Sequence, residues 1–297
     1  MVSGPVRVAS AFAPGHITGA FRPVSQIRDP RGRGSVGAGV VLELGVLATA
    51  RYCPGGRRKV TVTADRPVPL PISADVARRL LGDRAGGLDV RLRHQLPIGQ
   101  GFGTSASGSL ATALAVASVL GGSRTKAIAT AHLADLFGGG GLGGVAAILG
   151  GGIEVRRRPG IPPFGTIVHT PVASSFLVGI VGPPIPSAGI LADPRALARI
   201  TRAAEGWERI GRHPTLGELF SMGERFTERA GLGPTPVRAV LRGLRRRGAT
   251  AFQPMFGQSF AALPRSTLDR ARIVEWLARS GVPTVELNAS PTGPRTG

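Results

Sequence analysis

The sequence contains little cysteine, little lysine and few acidic side chains, and these shortages exclude whole classes of protein. The single cysteine, Cys53, excludes an intrachain disulfide and a cysteine-rich zinc site. The most apolar stretches, 36–50 and 105–122, are interrupted by glycine and polar residues, so neither predicts a membrane span. The apolar stretch near the N-terminus contains Pro14 and His16, which is atypical of a secretory signal. We therefore expect a protein of the reducing cytoplasm that has no membrane partner.

Acidic residues number 17 against 37 lysines and arginines, which gives a formal net charge of +20. Only two of the basic residues are lysines, so the excess is almost entirely arginine. Such an excess is typical of nucleic-acid-binding proteins. However, aromatic residues are scarce, and the arginine runs at 57–58, 156–158 and 245–247 are short and far apart. We therefore interpret the charge as a solvated surface that attracts anionic small molecules, and do not expect a nucleic-acid partner.

Glycine, by contrast, is abundant and forms one distinctive turn. Residues 97–107 read Pro-Ile-Gly-Gln-Gly-Phe-Gly-Thr-Ser-Ala-Ser and run into an apolar segment of helical character at 110–120. The glycines permit backbone torsions that let successive N–H groups converge on one anion, and the first turn of the helix adds its own unpaired N–H groups. The pattern predicts a phosphate-binding loop. An ordinary capped loop is the alternative, since the spacing is neither the dinucleotide-binding nor the Walker form.

Three segments, taken in order, resemble the three motifs of one superfamily. The loop at 97–106 resembles the Pro-x-x-x-Gly-Leu-Gly-Ser-Ser-Ala nucleotide motif of the GHMP kinases, which include galactokinase, homoserine kinase and mevalonate kinase. Ala-Pro-Gly-His-Ile-Thr-Gly at 13–19 resembles the first motif, and Phe-Gln-Pro-Met-Phe-Gly-Gln-Ser at 252–259 lies where the third belongs. Within the superfamily the chain resembles the archaeal pantoate kinases, through the segments 37–43, 131–135 and 151–156.

This resemblance implies an α+β protein with the two-domain GHMP kinase fold. Residues 1–165 would form the N-terminal nucleotide-binding domain, a ribosomal-protein-S5-domain-2-like α/β domain. Residues 166–297 would form the C-terminal domain, a ferredoxin-like α+β domain. A proline- and glycine-rich link at 159–165 favours a boundary there.

Hydrophobic periodicity predicts secondary structure along both halves. The expected strands are 5–12, 38–50, 59–64, 88–93, 153–157, 176–181 and 249–252. The expected helices are 105–120, 124–137, 194–210, 216–230, 235–246 and 268–280. Ser123 is the expected N-cap of the second helix and Gly138 its expected end. We expect disorder only in the tail beyond Asn288.

The resemblance further implies that ATP and Mg²⁺ are the cofactors. The implied ATP-binding residues are Pro97, Gly99, Gln100, Gly101, Phe102, Gly103, Thr104, Ser105, Ala106 and Ser107. His132 and Asp135 are three residues apart on a predicted helix and share a face, which an ordinary polar stripe would also explain. Asp135 falls where the family has an acidic Mg²⁺ ligand, usually glutamate. Ser105 and Asp135 are therefore the implied metal ligands and catalytic residues.

One departure from the family pattern concerns the catalytic base. Pantoate kinases continue Thr-Gly-Leu-Gly-Asp-Val, whereas residues 140–145 read Gly-Gly-Leu-Gly-Gly-Val, which puts Gly144 where the catalytic aspartate is expected. Three alternatives follow, in our order of preference. The enzyme works without a base, or another acid such as Asp29 or Asp135 replaces it, or the protein binds nucleotide but turns over poorly.

Contacts to the acceptor substrate are the least specific predictions. An anionic hydroxy acid needs a cationic partner, and the family's Gly-Gly-x-x-x-Arg pattern favours Arg156, although a solvated arginine triplet explains it equally well. The full set of candidate substrate-binding residues is His16, Ser35, His132, Arg156, Gly257 and Gln258. The three polar side chains His16, Ser35 and His132 are equally consistent with structural roles. We expect the 14–19 and 255–259 segments to be loops that close over the substrate and the phosphates.

The function implied by the resemblance is ATP-dependent phosphorylation of (R)-pantoate to 4-phosphopantoate, a step of archaeal coenzyme A biosynthesis. Two alternatives stay open. One is another small-molecule kinase of the superfamily, acting on homoserine or mevalonate. The other is a catalytically weak nucleotide- or nucleic-acid-binding relative, which Gly144 and the charge of +20 motivate. The sequence leaves a homodimer open.

Overall fold

The structure is a computed structural model that describes residues 4–297. It contains two β-sheets and nine α-helices in the described residues. The strands are β1 (Arg7–Val24), β2 (Gly34–Pro54), β3 (Lys59–Ala64), β4 (Gly86–His94), β5 (Ile153–Arg158), β6 (Thr166–Thr170), β7 (Ser175–Ile180), β8 (Ala249–Phe252), β9 (Ser259–Pro264), β10 (Thr284–Asn288) and β11 (Arg295–Thr296). The helices are α1 (Pro71–Leu81), α2 (Thr104–Leu120), α3 (Arg124–Phe137), α4 (Gly144–Ala147), α5 (Ser187–Ala192), α6 (Pro194–Ala203), α7 (Leu216–Ala230), α8 (Thr235–Arg246) and α9 (Thr267–Arg279).

The first sheet is built on the long antiparallel pair β1 and β2. Its strand order is β11-β1-β2-β4-β3, with β5 paired to β2 and β6 paired to β5. The pairing of β1 with β2 shifts register between Pro14 and His16 and again between Thr18 and Ala20. Such irregularities bend a strand and redirect its side chains. The polar residues His16 and Thr18 therefore lie between two bulges in the middle of a sheet.

Helix α2 packs against β1 and β2 and is covered by α1 and α3. Almost every residue of α2 is buried, and most are alanine, serine or other small side chains. A helix that is apolar on all sides belongs in a core, and small side chains let its neighbours approach closely. The helix therefore has a fixed position from which its first turn faces the site.

The second sheet has the order β10-β7-β9-β8, and α7 and α8 contact it through β8 and β9. One hydrophobic cluster joins it to the first sheet. In this cluster the ring of Phe21, on β1, lies 5.7 Å from that of Phe226 and 6.0 Å from that of Phe256. Aromatic contacts of this kind add to the burial of apolar area. They fix the turn after β8 against the first sheet.

The predicted helices 105–120, 124–137, 216–230 and 235–246 agree with the structure to within one residue at each end. Ser123 caps α3, as expected, by accepting a hydrogen bond from the Lys126 backbone N–H. The helix expected over 194–210 ends at Ala203, and a short 3₁₀ turn follows at Trp207–Arg209. The elements α1, α4, α5, β6, β9, β10 and β11 were not predicted.

Two expectations are wrong. Residues 14–19 are not a loop, because they pair with β2 inside the continuous strand β1. The tail beyond Asn288 is ordered, because the Ser290 N–H donates to the Val41 carbonyl (2.8 Å) and β11 pairs with β1. Long-range backbone pairing determines both, and local composition carries no signal for it.

The domain limits at 1–165 and 166–297 stay a prediction. Strand pairing changes from the first sheet to the second between β6 and β7, and β11 returns to the first sheet at the C-terminus. Within the described residues, no helix is both long enough and apolar enough to cross a membrane.

Candidate functional site

Two cavities adjoin at the N-terminus of α2. The first has a volume of about 280 Å³ and is lined by the glycine loop, the start of α1 and residues 185–188. The second is smaller, about 60 Å³, and lies between β1, β2, β5 and residues 140–144. The residues that line both are Gly101, Gly103, Ser105, Gly140 and Met255. Two ligands, one in each cavity, would therefore meet beside Ser105.

The glycine loop is braced from three directions. The His16 backbone N–H donates to the Phe102 carbonyl (3.0 Å), and the Ser259 hydroxyl donates to the Gln100 carbonyl (2.6 Å). The Ile185 N–H donates to the Gly99 carbonyl (3.0 Å). Gly101 has a φ of +82°, and a Cβ on it would collide with the Pro254 carbonyl oxygen. Glycine is therefore required where the loop passes under this turn.

The first turn of α2 supplies free hydrogen-bond donors. Its N-cap is Gly103, in the left-handed region at φ 69°, and no side chain among residues 4–297 caps the helix. The first backbone bond is from the Ser107 N–H to the Gly103 carbonyl (3.0 Å). The N–H groups of residues 104–106 therefore have no partner within the helix, and the positive end of the helix dipole lies beside both cavities.

The walls of the larger cavity are mainly apolar away from this helix end. Leu70 and Ile72 contribute from the start of α1, Ile98 from the loop, and Ile185 and Pro186 from the segment before α5. An apolar slot next to a helix N-terminus suits a flat ring joined to an anionic tail.

Ser105 and Asp135 face each other at the junction of the cavities. The Ser105 hydroxyl donates a 2.6 Å hydrogen bond to Asp135 Oδ1. Asp135 is only 2% exposed, and burial raises the pKa of its carboxyl to about 7. A Cβ on Gly140 would collide with both of these side-chain oxygens. A hydroxyl and a carboxylate held together in this way are hard oxygen ligands of the kind that Mg²⁺ prefers.

The smaller cavity has one buried cation, Arg156. A Cβ on Gly143 would lie 2.6 Å from the Ser35 hydroxyl oxygen and 3.1 Å from Arg156 Nε. Within the described residues, Arg156 Nε has no hydrogen-bond partner. Two donors therefore converge beside Gly143, where they could bind an oxygen of an anionic ligand.

A buried polar cluster lies behind this cavity. Glu154, which is completely buried, accepts a hydrogen bond from His16 Nε2 (2.9 Å) and another from Arg156 Nη1. Glu154 and Arg156 alternate along β5, and His16 reaches them across β2 at Gly39. A Cβ on Gly39 would collide with the His16 imidazole. The missing side chain at position 39 therefore allows contact between the two strands.

Several of the predicted site residues line these cavities. For the nucleotide these are Gly99, Gly101, Phe102, Gly103, Thr104, Ser105 and Ala106, and for the substrate His16, Ser35 and Arg156. Pro97, Gln100 and Ser107 line neither cavity, nor do His132, Gly257 and Gln258. The Gln100 side chain donates to the Gly182 carbonyl (2.9 Å), and the Ser107 hydroxyl to that of Pro14 (2.7 Å). These contacts brace the loop.

His132 and Asp29 lie away from the smaller cavity. His132 points at the backbone of Pro30 and Arg33, and burial lowers the pKa of its imidazole. Asp29 bonds Arg31, which lowers the pKa of its carboxyl to about 2. Since Asp29 lines neither cavity, its position does not support it as a replacement base.

Position 144 has no room for a side chain in this structure. A Cβ on Gly144 would lie 2.6 Å from the Cβ of Ala106, where α4 approaches α2. The same point lies 3.9 Å from Asp135 Oδ2. An aspartate at 144 would therefore contact the Ser105–Asp135 pair but would first require α4 to move.

Comparison with known proteins gives the family. The family described as "GHMP kinases N terminal domain" matches residues 72–152. A pantoate kinase from Methanospirillum hungatei is 30% identical over 289 residues, which cover 96% of this chain and 95% of that protein. The chain belongs to the GHMP kinase family. The family resemblance and the two-domain GHMP kinase fold expected from the sequence are confirmed.

Two further similarities agree with this assignment. A pantoate kinase from Thermococcus kodakarensis is 31% identical over 240 residues, covering 79% of this GHMP kinase and 80% of the relative. A solved structure described as "Phosphotransferase related to CoA biosynthesis pathway" has a TM-score of 0.86 at 28% identity and covers 98% of this chain and 99% of its own. The protein is therefore an ATP-dependent kinase, as expected.

Sequence reasoning missed several residues of this GHMP kinase site. Gly140, which lines both cavities, and Glu154, which holds His16 and Arg156, were given no role. Thr18 and Met255 fall in the segments 14–19 and 255–259 that were expected at the site, but neither was named as a site residue. The sequence did contain a signal for Thr18 and Glu154, because residues two apart on a strand lie on the same face of the sheet. His16 with Thr18, and Glu154 with Arg156, are such pairs. Met255, at a φ of 48°, had no comparable signal.

Proposed function

We propose that this GHMP kinase transfers the γ-phosphoryl group of ATP to the hydroxyl of (R)-pantoate and forms 4-phosphopantoate, in the archaeal route to coenzyme A. The observation that carries this proposal is the Ser105–Asp135 pair at the junction of two cavities. One cavity is apolar and ends at a helix N-terminus, and the other contains a buried arginine. The similarity to two pantoate kinases supports this acceptor.

ATP would bind with its base between the apolar walls near α1 and its phosphates at the N–H groups of residues 101–106. Ser105 and Asp135 fit a magnesium ion, because their oxygens are hard ligands and Mg²⁺ needs only one or two protein groups beside the phosphates. Bound there, Mg²⁺ neutralises the negative charge of the terminal phosphates. A cation beside Asp135 also favours the ionised carboxylate, against the effect of burial.

Pantoate would occupy the smaller cavity with its carboxylate toward Arg156 and Ser35. Arg156 is 2% exposed, and its Nη1 is paired with Glu154, but its Nε lacks a partner within the described residues. An anionic oxygen in the cavity would accept a hydrogen bond from that Nε. The cavity volume of about 60 Å³ favours a small acid. A site of this size supports a small-molecule acceptor.

The glycine at 144 is compatible with this reaction. Phosphoryl transfer passes through a loose transition state, in which positioning and charge neutralisation contribute most of the rate acceleration. The site retains the groups for both tasks. Gly144 is also the observation that favours the second candidate, a kinase of the homoserine type, because homoserine kinases of the superfamily lack such a base.

The experiment is a coupled assay for ADP release, with pantoate, pantothenate, homoserine and mevalonate offered separately. We expect pantoate-dependent ADP release that requires magnesium. Preference for homoserine or mevalonate would replace the proposed acceptor with the second candidate class. ATP binding without turnover on any acceptor would instead support a nucleotide-binding protein, and salt-sensitive RNA binding would extend that to nucleic acid.

A further inference from the structure

A hydroxyl, an imidazole and a carboxylate follow one another beside the smaller cavity. Thr18 Oγ1 lies 3.4 Å from His16 Nδ1, and His16 Nε2 lies 2.9 Å from Glu154 Oε1. Thr18 and His16 line the cavity, and Glu154 is buried behind them. The series therefore runs from the cavity into the protein interior.

The partners of Glu154 determine which nitrogen of His16 carries the proton. Arg156 Nη1 donates to the same oxygen of Glu154, and a carboxylate in such an ion pair acts only as an acceptor. His16 Nε2 must then be the N–H donor, and Nδ1 keeps its lone pair. That nitrogen lies 3.4 Å from the hydroxyl oxygen of Thr18, a residue that lines the cavity.

The surroundings of His16 favour the neutral form of its imidazole. Burial lowers the pKa of His16, while the hydrogen bond and charge of Glu154 act to raise it. The other charged or titratable groups near the ring are Arg156, on the same strand as Glu154, and His169, on β6. A neutral imidazole backed by a carboxylate is the arrangement of a general base.

The other acid and base that line the cavities are less well placed for this task, because His94 lines only the larger cavity, away from the proposed acceptor. Among the described residues, Asp135 is the sole carboxylate that lines either cavity, and it is engaged by Ser105. Position 144 has no side chain. His16, in contrast, contacts the glycine loop, because its backbone N–H donates to the Phe102 carbonyl (3.0 Å). His16 therefore lies beside both the glycine loop and the smaller cavity.

Building on the proposed function, we infer that Thr18, His16 and Glu154 form a relay that removes the proton of the acceptor hydroxyl. The acceptor oxygen forms a bond to the γ-phosphorus, and the bond from that phosphorus to the β–γ bridging oxygen breaks, which releases ADP. The acceptor proton passes to Thr18 Oγ1 while the hydroxyl proton of Thr18 passes to His16 Nδ1. Glu154 stabilises the resulting imidazolium, which later returns its proton to water.

The first test compares Thr18→Val with Thr18→Ser in the full chain. Loss of the relay hydroxyl should lower kcat about 100-fold, the usual size of a general-base contribution, with KM for ATP and thermal stability nearly unchanged. Serine keeps the hydroxyl and should retain kcat within about threefold. Thr49→Val is the matched control, because Thr49 lies on β2 and its hydroxyl is hydrogen-bonded to Ser10 (3.0 Å) away from both cavities.

The second test combines a readout that is independent of turnover with a pH profile. Nitrogen-15 NMR of the histidines in the free protein, with His16 assigned from a His16→Gln variant, should show Nε2 protonated and Nδ1 unprotonated near pH 7. The kcat of the wild type should rise with pH through the pKa of His16, and His16→Gln should lack that rise.

The outcomes separate the relay from the reaction itself. Full activity of Thr18→Val, or a proton on Nδ1 of neutral His16, would overturn the relay while pantoate kinase activity stood. Absence of pantoate turnover by the wild type would overturn the proposed function and, with it, the relay.

Discussion

The Ser105 hydroxyl donates a 2.6 Å hydrogen bond to the Asp135 carboxylate at the point where the two cavities meet. These residues come from the first turn of α2 and the last turn of α3, two helices that pack against each other. The pair thus joins the glycine loop to the helix behind it. Its position explains why small changes around it should affect activity more than folding.

Ser105→Ala should remove one oxygen ligand and the hydrogen bond to Asp135. We expect turnover to fall by about 10- to 100-fold or more, the range found when metal-site contacts are lost. The lost hydrogen bond contributes only about 1 kcal/mol, so the melting temperature should shift by a few degrees at most. Steady-state kinetics and thermal unfolding check this. Unchanged activity at equal stability would show that Ser105 does not contribute to turnover.

Gly140→Ala should disrupt the same pair from the other side. The added Cβ would collide with both Ser105 Oγ and Asp135 Oδ1, so the two side chains cannot keep their present positions. Gly87→Ala is the matched control, because a Cβ there has no neighbour within 4 Å. We expect the alanine at 140 to weaken magnesium-dependent ATP binding at least tenfold, measured by calorimetry, and the alanine at 87 to leave it unchanged. Equal binding by the two variants would contradict the described packing.

Asp135 should make the stability of the metal-free protein depend on pH. Burial raises the pKa of this carboxyl from 3.8 to about 7, so the folded protein keeps a proton that the unfolded chain has released. Its contribution to the free energy of unfolding is present below pH 3.8 and is lost as the pH rises toward 7, by at most about 1.4 kcal/mol per pH unit.

The variant Asp135→Asn has no such proton to lose. Relative to the wild type, it should therefore gain stability between pH 5 and pH 7.5 when magnesium is absent. Urea unfolding at both pH values measures the difference. A stability difference that is the same at pH 5 and pH 7.5 would show that the carboxyl has an ordinary pKa.

Restoring an acid at position 144 should require a second change. Gly144→Asp brings a Cβ within 2.6 Å of that of Ala106, and overpacking of this kind costs about 1–3 kcal/mol. Ala106→Gly removes the clash, so the double variant should be more stable than the sum of the two single changes predicts. A double-mutant cycle from chemical unfolding measures this coupling. Strict additivity would mean that Ala106 does not limit position 144.

The parts of the site that the sequence could predict are those with a local signal. Closely spaced glycines before an apolar helix gave the loop and α2, and Ser123 and Gly138 marked the ends of α3. The spacing of Ser105 and Asp135 was informative only through the family resemblance. Because α2 and α3 pack together, Ser105 and Asp135 come into contact.

The parts that could not be predicted depend on long-range pairing. Pro14 and Gly15 read locally as a turn, but pairing with β2 makes 14–19 part of a strand. The residues next to Glu154 in the sequence do not indicate that its partner is His16, which is 138 residues away. Helix α1 was not predicted, although Pro71 occupies its first turn, where a missing N–H has no cost.

The central claim is that a nucleotide and a small acid occupy the two cavities and meet beside Ser105 and Asp135. A crystal structure with a nonhydrolysable ATP analogue, magnesium and pantoate tests it most directly. We predict the phosphates at the N–H groups of the glycine loop, the metal on Ser105 and Asp135, and the pantoate carboxylate at Arg156. Phosphates bound elsewhere, or a loop turned toward solvent with the cavity empty, would contradict the account.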